Sequence, residues 1–271
     1  MDNQGIGLIT CNREDFFTQA LESIPAGKFK RVYVVDASDA DQKYAEKYRS
    51  KYGFKLISPS KRVVVGVAKN MALRRMQKDG IVHFFLMEDD VRIINEDIAE
   101  KYIETANTSG IWGTLAHNGH GNGNRDSDGN VEPKNTVTYD NGVKVDFFEH
   151  SVQPFVYIHR NIIKHVGLFD EFYKNAIEHL DHYKLQEVKR LGSYYHWFPS
   201  PADCGDDIED IDENHEGSVI RRDESWQRDL EEGAKHFLKK YQYHPFNMPM
   251  AGEDQVLERL DYLEKYYAKK L

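Results

Sequence analysis

The stretch Ile81-Val82-His83-Phe84-Phe85-Leu86-Met87-Glu88-Asp89-Asp90 decides how this chain is read. It is a short apolar run, interrupted only by His83 and ended abruptly by three acids. A membrane-spanning helix needs about 20 apolar residues, so this run is far too short for one. A run of this length that stops on charge reads as a strand buried on both faces. Such strands belong to parallel sheets covered by helices on either side. Upstream, residues 5–10 (GIGLIT) form another short buried strand. The polar turn Cys11-Asn12-Arg13-Glu14-Asp15 then opens a helix carrying Phe16, Phe17, Ala20, Leu21 and Ile24 at helical spacing. Residues 31–35 make a second strand ending on Asp36, 39–52 a helix, 54–57 a third strand, and 66–77 a helix. This β-α-β-α order calls for right-handed crossovers and puts ligands beyond the carboxyl ends of the strands. Three of those ends carry polar or acidic residues: Asn12, Asp36 and the trio Glu88, Asp89 and Asp90.

Downstream the pattern loosens. Residues 95–106 predict a helix and 111–117 a strand. Residues 118–135 are rich in Gly and Asn and predict a mobile loop. Residues 136–139 and 143–148 flank Asp140-Asn141-Gly142, a hairpin signal. A strand at 155–159, helices at 160–166 and 178–191, and a strand at 193–198 follow. An acidic loop at 203–216 precedes two closing helices, near 223–241 and 253–270. The last is amphipathic through Leu257, Leu260, Leu263, Tyr262, Tyr266 and Tyr267. No internal repeat or linker is visible, so a single domain spanning 1–271 is expected.

Composition narrows the partners. The chain has 271 residues, 40% hydrophobic, with sixteen Tyr and fourteen Phe, enough for a sizeable core. The net charge of −9 is spread rather than blocky, which leaves no nucleic-acid footprint. An anionic ligand therefore needs local help from a cation or a few placed Arg and Lys. The two cysteines, Cys11 and Cys204, form no Cys-x-x-Cys pattern, which reads as a reduced, cytoplasmic protein. The first residues lack the features of a secretory signal. The last helix, with Lys265, Lys269 and Lys270, is a surface on which the protein could rest against a membrane or a partner.

The chemistry starts at the acidic trio. Three adjacent carboxylates repel one another unless a cation or donors compensate. Hard oxygen ligands at a strand end suit Mg²⁺ or Mn²⁺ beside a diphosphate. The bland alternative is a solvated turn opening the next helix.

These segments, in chain order, resemble the GT-A glycosyltransferases, and within them the inverting family 2. Glu88-Asp89-Asp90 after its strand resembles the Asp-X-Asp element. Thr10-Cys11-Asn12-Arg13 resembles the opening T-x-N-R turn, and Val34-Val35-Asp36 the second-strand Asp that contacts the base. Gly66-Val67-Ala68-Lys69-Asn70 resembles the G-x-A-x-x-R-N helix opening, with Lys69 where Arg is usual. Val166-Gly167-Leu168-Phe169-Asp170-Glu171 resembles the V-G-x-F-D-E segment. Asn214-His215-Glu216-Gly217-Ser218 resembles the late H-x-x-x-S element. The matches cover roughly residues 5–222.

The resemblance implies an α/β, Rossmann-like GT-A fold: a mostly parallel sheet flanked by helices, a small antiparallel element and C-terminal helices. It divides the domain into a nucleotide-sugar half (1–93), an acceptor half (94–225) and C-terminal helices (226–271). It implies metal-dependent, inverting transfer of a sugar from a nucleotide diphosphate donor, a UDP-sugar, to a glycan, lipid-linked or protein acceptor in glycan or polysaccharide synthesis. Asp90 and His215 would ligate Mn²⁺ or Mg²⁺. Thr10, Asn12, Arg13, Asp36, Lys69, Asn70, Glu88 and Asp89 would bind the nucleotide sugar. Arg221 and Arg222 would neutralise the diphosphate or cap the acidic loop.

The chain departs from the family at Glu178-His179-Leu180-Asp181, where Glu-Asp-x-Asp is usual and His179 takes the base position. The reading prefers a carboxylate, Glu178 or Asp181, as general base over His179. Residues 178 and 181 share a helix face, and Phe169, Phe172 and Tyr173 nearby would raise a carboxylate pKa, against the pull of the helix N-terminus. Two other functions remain. A sugar-1-phosphate nucleotidyltransferase would need a glycine-rich loop after the first strand, which Cys11-Asn12-Arg13-Glu14 does not supply. A non-catalytic sugar-nucleotide-binding protein is the other.

Overall fold

Alternating apolar residues with neighbours on both faces make the central sheet. The computed structural model of the chain describes residues 3–174, 177–189, 197–212 and 216–267. Its strands are β1 (Gln4–Thr10), β2 (Arg31–Asp36), β3 (Lys55–Ile57), β4 (His83–Glu88), β5 (Val91–Ile93), β6 (Leu115–Ala116), β7 (Asn135–Thr138), β8 (Lys144–Phe148), β9 (Phe155–His159), β10 (Phe198–Pro201) and β11 (Ile208–Asp210). Its α-helices are α1 (Glu14–Ser23), α2 (Glu46–Tyr52), α3 (Val65–Lys78), α4 (Ile98–Ser109), α5 (Arg160–His165), α6 (Glu178–Lys189), α7 (Trp226–Tyr241) and α8 (Glu253–Tyr267).

The main sheet runs β3-β2-β1-β4-β9-β6. Its first four strands are parallel, and β9 and β6 are antiparallel to their neighbours. Phe85, Met87, Phe155 and Tyr157 point to one face, against α1, α4 and the β7–β8 hairpin. Phe84, Leu86, Val156 and Ile158 point to the other, against α3 and α5. Gly7 lets α3 sit close on β1, because a Cβ there would stand 2.8 Å from the Ala72 Cβ. Smaller sheets, β10-β8-β7 and β11-β5, flank the main one. The α/β class, the mostly parallel sheet, the antiparallel element and the C-terminal helices are as the sequence predicts.

Four local expectations change. The helix expected over 39–52 begins only at Glu46, because the Asp36 carboxylate accepts hydrogen bonds from the backbone N–H of Ser38, Tyr44 and Ala45 and holds the intervening chain as a turn. The strand expected over 111–117 shrinks to β6, since Thr114 has a left-handed φ of 55°. The segment 118–135 is no loose excursion: Asn118 and Asn124 are buried and bond to the carbonyls of Pro199 and His150. The acidic loop contributes a strand, β11, which pairs with β5 directly after the trio. Of the strand expected over 193–198 only Phe198 is observed in a strand, β10; Trp197 precedes that strand, and 193–196 lie outside the described residues.

In α8, Val256, Leu260 and Leu263 are buried and Tyr267 packs edge-on against Trp112, whereas Leu257, Tyr262 and Tyr266 are exposed. No helix among the described residues is long and apolar enough to cross a membrane.

Candidate functional site

The carboxyl ends of β1 and β4 open into a cavity of about 350 Å³. Thr10, Glu88, Asp89 and Asp90 form its floor, residues 62–65 one wall, and residues 218–220 with Trp226 its cover. The position follows from the topology, because a parallel sheet leaves a crevice where its strands end.

The acidic trio is less repulsive than its sequence implies, because the protein supplies its own cations. Asp89 is buried, accepts a hydrogen bond from the Thr10 hydroxyl at 2.6 Å and is paired with the Arg13 guanidinium. Burial raises its pKa, and Arg13 partly offsets that. Arg13 also reaches Asp90 at 3.7 Å and Asp212 at 3.3 Å. Glu88 pairs with the fully buried Lys69 ammonium at 2.7 Å. Burial opposes charge on Lys69, but Glu88 and Glu178 outweigh it and raise its pKa.

Lys69 links the trio to the start of α6, with its Nζ 3.3 Å from Glu178 Oε1. Burial alone would raise the Glu178 pKa, yet the Lys69 charge and His179 bring it down to about 2. The sequence leaves the net shift open between desolvation and the helix N-terminus; here burial pushes the pKa up, and the buried lysine overrides it. Nor do Glu178 and Asp181 share surroundings. Asp181 is fully buried and accepts from Tyr173 Oη at 2.9 Å, Lys240 Nζ at 2.5 Å and Tyr241 Oη at 3.0 Å, so it braces α7. His179 lies between these two environments. Its Nε2 is 3.3 Å from the Ser151 carbonyl oxygen, and its Nδ1 is 3.9 Å from Glu178 Oε1.

Several residues expected at the nucleotide are committed to the protein itself. Asp36 is 1% exposed and turned into its own loop. Asn12, with φ of 54°, exchanges hydrogen bonds with Asp39, which pins the β1 turn to the β2 turn. Asn70 clasps Phe169 through that residue's backbone N–H and carbonyl. Thr10, Arg13, Glu88, Asp89 and Asp90 do line the cavity. Arg221 is exposed, its guanidinium 5.9 Å from the Trp226 ring centre, and Arg222 is exposed as well. His215 lies outside the described residues; Asp212 and Gly217 on either side of it are joined by a 2.9 Å backbone-to-carboxylate bond.

Sequence reading missed Arg62, Lys174 and Trp226 at this cavity. Arg62 follows β3, whose end carries no acid to draw notice. A lone Trp beside Arg221 and Arg222 was the available signal for the cover. The lining holds five carboxylates (Glu88, Asp89, Asp90, Asp223, Asp229) against three cations (Arg13, Arg62, Lys174). All three cations are already paired, Arg13 with Asp89, Arg62 with Asp223 at 3.7 Å and Lys174 with Asp229 at 2.9 Å.

No family model matches the chain, and no curated protein does. Solved structures do. Residues 1–349 of TarS from S. aureus are 18% identical, with a TM-score of 0.53 over 97% of this chain and 83% of that one. The mannosyltransferase PcManGT from Pyrobaculum calidifontis, in complex with GDP-Man and Mn²⁺, is 14% identical, with a TM-score of 0.57 over 96% of this chain and 69% of that one. GalNAc-T7 with UDP, GalNAc and Mn²⁺ is 9% identical, with a TM-score of 0.52 over 73% of this chain and 41% of that one. The chain therefore has the GT-A-like fold of these glycosyltransferases.

Proposed function

We propose that this protein is a metal-dependent, inverting glycosyltransferase that moves a sugar from a UDP-sugar to an acceptor hydroxyl. The observation that carries the reading is the cavity at the strand ends, floored by Glu88, Asp89 and Asp90, on a fold shared with glycosyltransferases. Related folds hold UDP or GDP-Man, and two hold Mn²⁺. The division into a donor half at 1–93, an acceptor half at 94–225 and closing helices at 226–271 belongs to this reading.

The cavity's excess of carboxylates supports a cation requirement, since a diphosphate entering it would meet net repulsion. Among the described residues no group of three or more His, Cys, Asp or Glu is placed to hold a metal. Mg²⁺ usually binds through one or two carboxylates plus substrate phosphates rather than in a protein cage. Asp90, with His215 as second ligand, would hold the ion, which neutralises the leaving diphosphate.

For the base, where the sequence reading preferred a carboxylate, the surroundings of these side chains favour His179. A carboxylate with a pKa of about 2 has little affinity for an acceptor proton, which disfavours Glu178. Asp181 is enclosed by α7. His179 remains. A carbonyl oxygen can only accept, so Nε2 donates to Ser151, and in the neutral imidazole Nδ1 is then the accepting nitrogen. The acceptor hydroxyl gives its proton to Nδ1 while its oxygen attacks the anomeric carbon. The bond to the diphosphate breaks, and the configuration inverts. Glu178, at 3.9 Å, stabilises the imidazolium so formed.

The test is release of UDP and free sugar from a panel of UDP-sugars with and without Mn²⁺. The reading expects metal-dependent release from at least one donor. Tight binding with no turnover of any donor, with or without added glycan acceptors, would reduce the protein to a binder.

A further inference from the structure

The segment 151–154 spans the gap between the trio and α6. At one end the Ser151 carbonyl accepts from His179; at the other the Pro154 carbonyl accepts from the Glu88 backbone N–H at 2.7 Å. Between these anchors sits Gln153, only 6% exposed, with no hydrogen-bond partner for either side-chain amide atom. The Ser151 hydroxyl is buried and unpartnered too, as is Glu178 Oε2 beside His179. Buried polar atoms without partners are uncommon in native proteins, because each forfeits its hydration. Here six such atoms lie on the two elements that flank the trio and His179: these four, and Asp181 Oδ2 and Gln186 Oε1, whose side chains are otherwise bonded to α7 and to Thr114. Together they offer donors and acceptors, the complement of sugar hydroxyls.

We infer that Ser151, Gln153 and the unpartnered Oε2 of Glu178 bind hydroxyls of the transferred sugar, and that this sugar is neutral rather than a uronate. The charge follows from Glu178: a sugar carboxylate brought against it would be repelled in a buried setting, whereas a hydroxyl donates to it. This rests on the glycosyl-transfer reading, and it adds the class of sugar and the residues that select it.

Calorimetry in Mn²⁺ with UDP, UDP-glucose, UDP-galactose, UDP-N-acetylglucosamine and UDP-glucuronate tests it on the wild type, Gln153→Leu and Ser151→Ala. In the wild type, at least one neutral donor should bind more tightly than UDP, and UDP-glucuronate no more tightly than UDP. Gln153→Leu should keep UDP affinity and lose about tenfold for that neutral donor, with Ser151→Ala losing less. Its ligand-free Tm should hold or rise, because an unpaired amide gives way to an apolar group of similar shape. A uronate that binds as well as the neutral sugars overturns the inference. So does a Gln153→Leu variant that loses Tm and keeps the full sugar preference, since the amide would then be structural. If the wild type binds no UDP at all, the glycosyl-transfer reading itself fails.

Discussion

Single residues here hold one another before they can hold a ligand, and Lys69 shows how. It is buried between Glu88 and Glu178 and joins two segments 90 positions apart in a chain of charge. Glu178 ordinarily titrates at 4.5 and here near 2. Its pairing therefore adds stability that is complete above about pH 5 and lost as the pH falls towards 2. The full contribution is on the order of 3 kcal/mol, with about 2 kcal/mol of it gone by pH 3. Denaturant unfolding at pH 6 and pH 3 should therefore show a smaller loss in Glu178→Gln than in the wild type. Equal losses would mean that Glu178 is not held by Lys69. The proposed roles of α6 separate in the same way. His179→Ala should lower turnover about 100-fold or more while keeping UDP affinity. Asp181→Asn should cost about 1–3 kcal/mol of stability through its contacts to Lys240 and Tyr241, with turnover largely kept. The reverse pattern would make Asp181 the base. Resemblance to family motifs placed Lys69 and Glu178 near the chemistry. It could not show that Asp36 and Asn70 turn inward, because inward and outward carboxylates and amides are spelled alike.

At the scale of elements, strands were the legible part. The β1, β2 and β4 runs are apolar on both faces, and only a helix-covered sheet accommodates that. Boundaries failed where a side chain overrode local preference, as Asp36 does in delaying α2. β5 and β11 escaped notice because each is three residues long with a charged residue, Arg92 or Glu209, at its centre and so carries no apolar run. Contact between elements also sets a stability prediction. Gly7→Ala puts a methyl group 2.8 Å from Ala72 and should push α3 off β1, costing about 1–3 kcal/mol in chemical denaturation. A cost near zero would mean that α3 is free to shift. The acidic loop is tied to the trio on its near side, with Ile211 N–H donating to the Asp90 carbonyl at 2.8 Å and Asp212 paired to Arg13. Hydrogen exchange across 203–217 should slow on adding UDP and Mn²⁺, as a cation relieves local repulsion. Unchanged protection would count against His215 as a ligand.

For the whole molecule, the proposed function draws on the fold and the acidic cavity together. A protein of net charge −9 with a carboxylate-rich cavity is a poor host for a diphosphate unless a cation enters with it. The charge was legible in the sequence. The cavity's balance was not, since it depends on Arg62, Lys174, Asp223 and Asp229 converging from distant segments. The account stands on that linkage between metal and nucleotide. It is tested most directly by calorimetric titration of UDP into the wild type and Asp90→Asn, each with and without Mn²⁺. The account predicts that the wild type binds UDP at least tenfold more tightly with Mn²⁺, and that Asp90→Asn folds normally but loses that gain. Equal UDP affinity in all four titrations would contradict it.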